Sequence, residues 1–500
     1  MDKKKSLLNV AVSVGFKLVT MVMSIIVKRA LIRYCGNEVN GLNALYLSVI
    51  GFMSVAELGV GFAITFSMYK PVVEGDTNRV SALYFLFRRI YRIIGAIILV
   101  CGLVITPFVH LLAKDYAELD VNLQYTFILM LISTVLTYLY SAKTALFNAH
   151  KNNYITTAIN QGGILFQYFL QLTVLAVVGT FESYLICRIL SCLFQWLVTE
   201  IIVRRNHSDI IANKQSLDRE TRTEVTKNIK AVFIHHVGYV LINTVDSVVI
   251  AAFVGVVVLG EYSNYAAILT SLTAVLKLVF SSLTSVFGHL YVQEDHNVAR
   301  KYCEAFHFLN FIISLVFFLG YYAIIDNLIA LLFAADLVVE KSISFVVTLN
   351  GFVQFMRQST ITFRDATGTF YYDRWLSPVE GIVNVVFSVI LVKLFGVAGV
   401  ILATIGTNLL ICHVVEPFVV YRFAFSASPK RYYVKNYLYI GIFTLALLLL
   451  NICMFDFDSQ WLTLLANGVL SVGVSCVVCL AVAPFNRDEI RCFIKNKGEK

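Results

Sequence analysis

The chain is short of charge, of proline and of polar linkers. Only 14% of its 500 residues are charged, and six are proline. Soluble domains carry about 25% charged residues, so the shortage excludes one large soluble enzyme or a string of soluble domains. Disorder is excluded too, because it needs low hydrophobicity and high net charge. With six prolines and 27 glycines, collagen-like and Pro-rich classes are excluded. The sequence also lacks a G-x-x-x-x-G-K-[ST] phosphate loop, a G-x-G-x-x-G turn and an H-E-x-x-H helix. Motifs for ATP hydrolysis, dinucleotide binding and zinc proteolysis are therefore missing.

Hydrophobic residues make up 58% of the chain, and its mean hydropathy is +0.77. The expected solvent is a bilayer. Most of the ten cysteines, such as Cys101, Cys187, Cys192, Cys412 and Cys453, lie within apolar runs, the habit of a small buried hydrophobe. Cys476 and Cys479 form the one C-x-x-C, but no second Cys or His pair accompanies it, so no metal or cofactor is expected.

A spanning helix needs about 20 mostly apolar residues. Fourteen such stretches lie near 10–32, 42–68, 93–112, 122–146, 155–178, 183–203, 231–253, 262–290, 305–325, 343–363, 376–395, 397–421, 436–455 and 461–484. The first follows Lys3, Lys4 and Lys5 as a signal peptide would. It is too long for one and lacks a small-residue cleavage site, so it is expected to stay as a helix. Most of the 40 Lys and Arg residues fall in the N-terminal tail, in alternate loops and in the C-terminal tail. The opposite loops are short and mostly acidic, with Glu38, Asp115, Glu182, Glu261, Asp336 and Asp456 among them. Positive residues stay on the cytoplasmic side, so both termini are expected there. The net charge of +9 then reflects topology and not nucleic-acid binding.

The longest loop, 204–230, divides two groups of helices. A shift of 219 residues places Asn9 on Asn228, Gly36 on Gly255, Val39 on Val258 and Gly41 on Gly260. The same shift places Tyr46 on Tyr265 and Asp76 on Asp295. Both copies start on the same side, so the repeat is parallel, as in transporter folds that bind substrate between two halves. The expected fold class is an all-α integral membrane protein of about 14 transmembrane helices: two pseudo-symmetric six-helix lobes plus a C-terminal helix pair. Its domains are an N-terminal lobe at 1–203, a cytoplasmic linker at 204–230, a C-terminal lobe at 231–421, and appended helices with a cytoplasmic tail at 422–500.

An ionisable side chain at the centre of a spanning helix costs about 2.5–3.5 kcal/mol on insertion scales and usually faces a lumen or a partner. Lys17, Lys28, Glu57, Asp246 and Lys277 are the deep ones, with Arg29 at the rim. Under the repeat, Lys28 falls beside Asp246 and Glu57 beside Lys277, so the two halves carry opposite charges at similar depth. Helices 1, 2, 7 and 8 are expected to line one cavity, with Lys28–Asp246 and Glu57–Lys277 as partners across it. Lys17, Lys28, Arg29 and Lys277 outnumber the acids, and a cationic lumen suits a phosphate or diphosphate. Arg33 reads as a snorkelling interface anchor, and Arg188, Glu200, Arg357, Glu380 and Glu416 read as lying near helix ends. His235 and His236, at the start of the seventh span, are a candidate proton site.

Three stretches carry a family resemblance: Gly36-Asn37-Glu38-Val39-Asn40-Gly41-Leu42-Asn43, Ala56-Glu57-Leu58-Gly59-Val60-Gly61 and Ser67-Met68-Tyr69-Lys70-Pro71. Asp76 and Arg88-Arg89-Ile90-Tyr91-Arg92-Ile93-Ile94-Gly95 follow. Together they resemble Wzx-type polysaccharide flippases of the capsular or exopolysaccharide branch, within the multidrug/oligosaccharidyl-lipid/polysaccharide exporter superfamily. The resemblance implies a bacterial inner-membrane protein that moves an undecaprenyl-diphosphate-linked oligosaccharide from the inner to the outer leaflet by alternating access. It gives Lys17, Lys28, Lys277 and Arg29 the role of meeting the diphosphate, and the appended helices a lipid groove. Glu57 or Asp246 would take part in H+ or Na+ coupling. A drug/cation antiporter of the same superfamily is the alternative and predicts a net acidic site. An integral-membrane polymerase is a third reading, but it needs a sizeable outer loop with catalytic residues. A non-enzymatic transporter is therefore expected.

Overall fold

The computed structural model describes residues 3–54, 60–114, 120–150, 152–213, 215, 217 and 244–495. Among the described residues the regular structure is helical, with no strand. The chain divides into two compact units, Met1–Gly260 and Glu261–Lys500.

In the first unit the helices are α1 (Lys3–Cys35), α2 (Asn37–Met53), α3 (Val60–Glu74), α4 (Thr77–Ile105), α5 (Leu123–Ala149), α6 (Asn153–Val177), α7 (Phe181–Asn206) and α8 (Thr244–Phe253). Short polar side chains start several of them. Asp76 accepts from the Arg79 amide at 2.9 Å and Asn122 from the Tyr125 amide at 3.0 Å, satisfying N–H groups that the first turn leaves free. α5 packs against α3, α4, α6 and α7. Leu83, Tyr84, Phe87, Ile98, Leu131 and Leu146 are fully buried where α4 meets α5.

α9 (Val256–Gln293) begins in the first unit and continues into the second. There it is followed by α10 (His296–Leu332), α11 (Lys341–Met356), α12 (Gln358–Thr367), α13 (Leu376–Thr407), α14 (His413–Val419), α15 (Lys430–Cys453), α16 (Gln460–Val482) and α17 (Arg487–Lys495). α10 is the hub, packed by α11, α12, α15, α16 and α17. Thus the appended helices cover one face of α10.

α13 is two helices. Gly396 has φ 57° and ψ −135°, outside the helical region. Asn384 Nδ2 donates to Thr404 Oγ1 at 2.9 Å. In one straight helix residues twenty apart would be about 30 Å apart, so the chain folds back at Gly396, as the eleventh and twelfth spans require. Among the described residues, eight helical segments are long and apolar enough to cross a membrane. That count treats 376–424 as one segment and includes α8 only as a short apolar helix.

Many large apolar side chains face outward, and short polar ones are buried among the apolar core. Val100, Val104, Leu394, Leu465 and Leu480 are exposed, whereas Asn310, Ser314, Ser344, Thr348, Asn436 and Asn467 are buried. α16 shows the rule: Thr463, Asn467, Ser471 and Ser475, four residues apart, face inward. Small and polar residues at such spacing let helices approach closely where lipid supplies no hydrophobic drive. So many apolar side chains facing outward on a soluble protein would form patches far above the few hundred Å² that such proteins tolerate. This is a multi-pass membrane protein.

Three of the residue pairs matched by the 219-residue shift share local features. Gly36 and Gly255 both have positive φ, 91° and 144°. Asp76 and Asp295 both cap helices through their side chains. Tyr46 and Tyr265 are both fully buried with bonded hydroxyls, Tyr46 donating to the Leu123 carbonyl at 2.8 Å and Tyr265 to Asp326 Oδ1 at 2.8 Å.

Candidate functional site

Inside the first unit the two copies of the glycine turn meet. Asn37 Nδ2 donates to the Val257 carbonyl at 3.0 Å, and Asn40 Nδ2 donates to the Gly260 carbonyl at 3.1 Å. A Cβ on Gly41 would lie 1.8 Å from the Val256 carbonyl oxygen, and one on Gly260 would lie 2.5 Å from the Asn37 carbonyl oxygen. Glycine is thus required at both positions for the backbones to touch. The paired glycines visible in sequence are a packing motif, joined by two asparagine side chains.

Three of the expected cations lie on α1. Lys17 is exposed, and its carbonyl accepts from Thr20 Oγ1 at 3.0 Å. Lys28 is half-buried between the buried Val27 and the exposed Arg29. Asp246, on α8, is half-buried and belongs to the same unit. α8 is anchored by α2, where a Cβ on Gly51 would lie 3.2 Å from Thr244 Cγ2. The Lys114 amide, which donates to the Ala251 carbonyl at 3.1 Å, anchors it too. Lys277 is exposed on α9 in the second unit. Glu57, His235 and His236 lie outside the described residues.

Residues read as interface anchors from their places near helix ends prove to be a buried ion network in the second unit. The Arg357 guanidinium grips Glu416 with two bonds, Nε to Oε2 at 3.1 Å and Nη2 to Oε1 at 2.7 Å. Its Nη1 donates to Glu380 Oε1 at 3.1 Å and to Asn408 Oδ1 at 2.5 Å. Arg364 Nη1 donates to Asp373 Oδ2 at 2.9 Å and lies 3.7 Å from Glu416 Oε1. The Glu380 and Glu416 side chains are each only 2% exposed. Arg357 and Glu380 do lie near helix ends, at the join of α11 and α12 and in the first turns of α13, while Glu416 sits on α14, which is flanked by π-helical turns at Asn408–Cys412 and Val420–Ala424. Glu200 is likewise no lone anchor: it accepts from Arg204 Nε at 2.6 Å and from Lys143.

The network adds no net cation, since Arg357 and Arg364 face Glu380, Glu416 and Asp373. Arg357 lies within electrostatic reach of Lys277. Its fork is held by two carboxylates, while the Lys277 side chain is exposed. The signal that could have pointed here is the conjunction of Arg357, Glu380 and Glu416 in three successive apolar segments. Among the described residues no group of His, Cys, Asp and Glu could hold a metal ion, and Cys476 and Cys479 are free thiols.

No family model matches the chain, and no curated protein matches it in sequence. Solved structures do match. A lipid II flippase, MurJ, in an inward closed conformation aligns with a TM-score of 0.67 at 13% identity, over 96% of this chain and 100% of that one. An inward-facing multidrug resistance MATE family transporter of the MOP superfamily aligns with a TM-score of 0.65 at 14% identity, over 85% and 94%. A MOP superfamily transporter from Pyrococcus furiosus, described as having a binding pocket of reverse polarity, aligns with a TM-score of 0.54 at 12% identity, over 89% and 97%. At such identities the likeness speaks for architecture, and the chain has the fold of the MOP-superfamily transporters.

Proposed function

We infer that this protein is a flippase that carries a polyprenyl-diphosphate-linked oligosaccharide from the inner to the outer leaflet of a bacterial cell membrane, serving surface polysaccharide synthesis. The observation that carries the reading is the set of cations on long helices, Lys17, Lys28 and Arg29 on α1 and Lys277 on α9, which outnumber Glu57 and Asp246. A diphosphate is the chemical complement of such groups, since charged hydrogen bonds to phosphate oxygens strengthen as water is excluded. The likeness to a lipid II flippase supports a lipid-linked substrate.

In this reading Lys17, Lys28, Arg29 and Lys277 hold the diphosphate, and Asp246 and Glu57 pair with lysines when the substrate is absent. Both termini lie in the cytoplasm. An anionic head moving outward runs down an inside-negative potential worth about 2.3 kcal/mol per charge per 100 mV, so ATP is not required. Protons or Na+ could couple through Asp246 or Glu57, and the potential alone could also suffice.

Purified protein in liposomes, supplied with a fluorescent polyprenyl-diphosphate disaccharide on one leaflet, tests the reading. Transport should fall at least tenfold in Lys28→Ala and Lys277→Ala. Wild-type protein that moves a cationic drug but not this lipid would favour the antiporter.

A further inference from the structure

The first unit holds a second site with a different chemistry. A cavity of about 310 Å³ opens among α3, α4, α5 and α6, lined by hydroxyl, amide and phenol groups with no charged side chain. Its size is at the lower end of the roughly 300–1,000 Å³ that small-molecule pockets occupy. One wall is a single face of α5, where Ser141, Thr144 and Asn148 follow one another at intervals of three and four residues, the spacing that stacks side chains on a helix. Tyr91 of α4, Tyr140 of α5 and Asn160 of α6 complete it.

The hydrogen-bonding state of this lining selects a ligand. Ser141 Oγ donates to the Thr137 carbonyl at 2.9 Å, and Thr144 Oγ1 donates to the Ser141 carbonyl at 2.8 Å. Tyr140 donates its phenol proton to Gln195 Oε1 at 3.2 Å. With Thr137 Oγ1 donating to the Thr134 carbonyl at 2.7 Å, the protons of these four hydroxyls are spent inside the protein, and their oxygens remain as acceptors. The Asn148 and Asn160 amides make no hydrogen bond with other described residues, so each offers two donors and an acceptor. An anion would meet mostly acceptors, a cation would find no carboxylate, and an apolar group would leave the amides unmatched. A neutral polyol brings hydroxyl donors to the acceptors, takes the amide donors, and lays C–H faces on the tyrosine rings.

We propose that this cavity is a sugar subsite that receives one neutral pyranose of the substrate glycan. The proposal rests on the flippase reading for its biological ligand. The position suits that reading. Ser141, Thr144 and Asn148 occupy the last turns of α5, next to the connection to α6, the end expected to face the cytoplasm where such glycans are assembled.

The test uses full-length protein in lipid nanodiscs and the methyl glycosides of glucose, galactose and N-acetylglucosamine, read by saturation-transfer NMR. At least one glycoside should receive saturation from the protein. The signal should be lost in Thr144→Val/Asn148→Leu and in Asn160→Leu, variants that fill or neutralise the wall at near-constant volume. A third variant, Ser141→Ala, should keep it at half or more, which guards against loss through misfolding. No transfer to any glycoside, or equal transfer in the filled variants, overturns the proposal. In liposomes the filled variants should move bare polyprenyl diphosphate at the wild-type rate and the glycosylated lipid at least tenfold more slowly; equal slowing of both overturns the subsite. If wild-type protein moves neither lipid, the flippase reading falls, and the glycoside signal still decides the subsite.

Discussion

Substituting Gly41 with alanine attacks the seam between the two glycine turns. The new Cβ would sit 1.8 Å from the Val256 carbonyl oxygen, against an ordinary contact of 3.4 Å or more. Both neighbours are backbone, so no side-chain rotation relieves the clash, and the turns must part by about 1.6 Å. That opening stretches the bonds from Asn37 to the Val257 carbonyl, at 3.0 Å, and from Asn40 to the Gly260 carbonyl, at 3.1 Å, beyond hydrogen-bonding range. Each such bond contributes about 1–1.5 kcal/mol net, so the seam should lose about 2–3 kcal/mol, or about 30–150-fold in its closed population. Hydrogen–deuterium exchange in nanodiscs measures this directly. Amides across residues 255–260 should exchange about 30–150-fold faster in Gly41→Ala and in Gly260→Ala. Gly441→Ala, where an added Cβ meets nothing within 4 Å, is the control and should leave exchange there unchanged. Exchange within twofold of wild type in both seam variants would refute the reasoning.

Arg357→Ala strands Glu380 and Glu416 in the interior and should destabilise the protein by about 3–5 kcal/mol; adding Glu380→Gln and Glu416→Gln should recover most of the loss in thermal unfolding, and no recovery would contradict the network. Glu489→Ala should free α17, because Glu489 accepts from Arg431 at 3.1 Å and from Lys435; trypsin should then cut at Arg487 and Arg491 about tenfold faster, and unchanged digestion would count against the clamp. His207 lies beyond the end of α7, its ring 4.4 Å from that of His150. Burial first, and then the neighbouring His150, hold its pKa below the usual 6.5. The unfolded chain therefore binds the proton more readily, so stability present above pH 6.5 is lost as pH falls below it. His207→Phe should flatten the fall in melting temperature between pH 7.5 and 5.5, and an unaltered slope would dismiss His207 as its source.

The charge of each group was legible in sequence, and its surroundings were not. Lys28 and Asp246 stood out because an ion in an apolar run is costly whatever its partner. Arg357, Glu380 and Glu416 read as lying near helix ends, and their mutual pairing could not be seen, because it depends on how three separate segments pack. The sugar subsite was silent in sequence: serine, threonine and asparagine are cheap in spanning helices and are common wherever helices pack.

Sequence by itself determined the helical class and the break between the spans at 376–395 and 397–421, because each follows from local hydropathy or from backbone conformations that glycine alone adopts readily. It also determined which positions carry uncommon charge. Only tertiary structure decided that Asn37 and Asn40 bridge the two turns, that Arg357 binds two carboxylates, and that Tyr91, Tyr140, Asn148 and Asn160 from three helices enclose one polar cavity. These depend on rotations and approaches of helices far apart in sequence, which are set by side-chain packing and leave no mark on the hydropathy of any one segment.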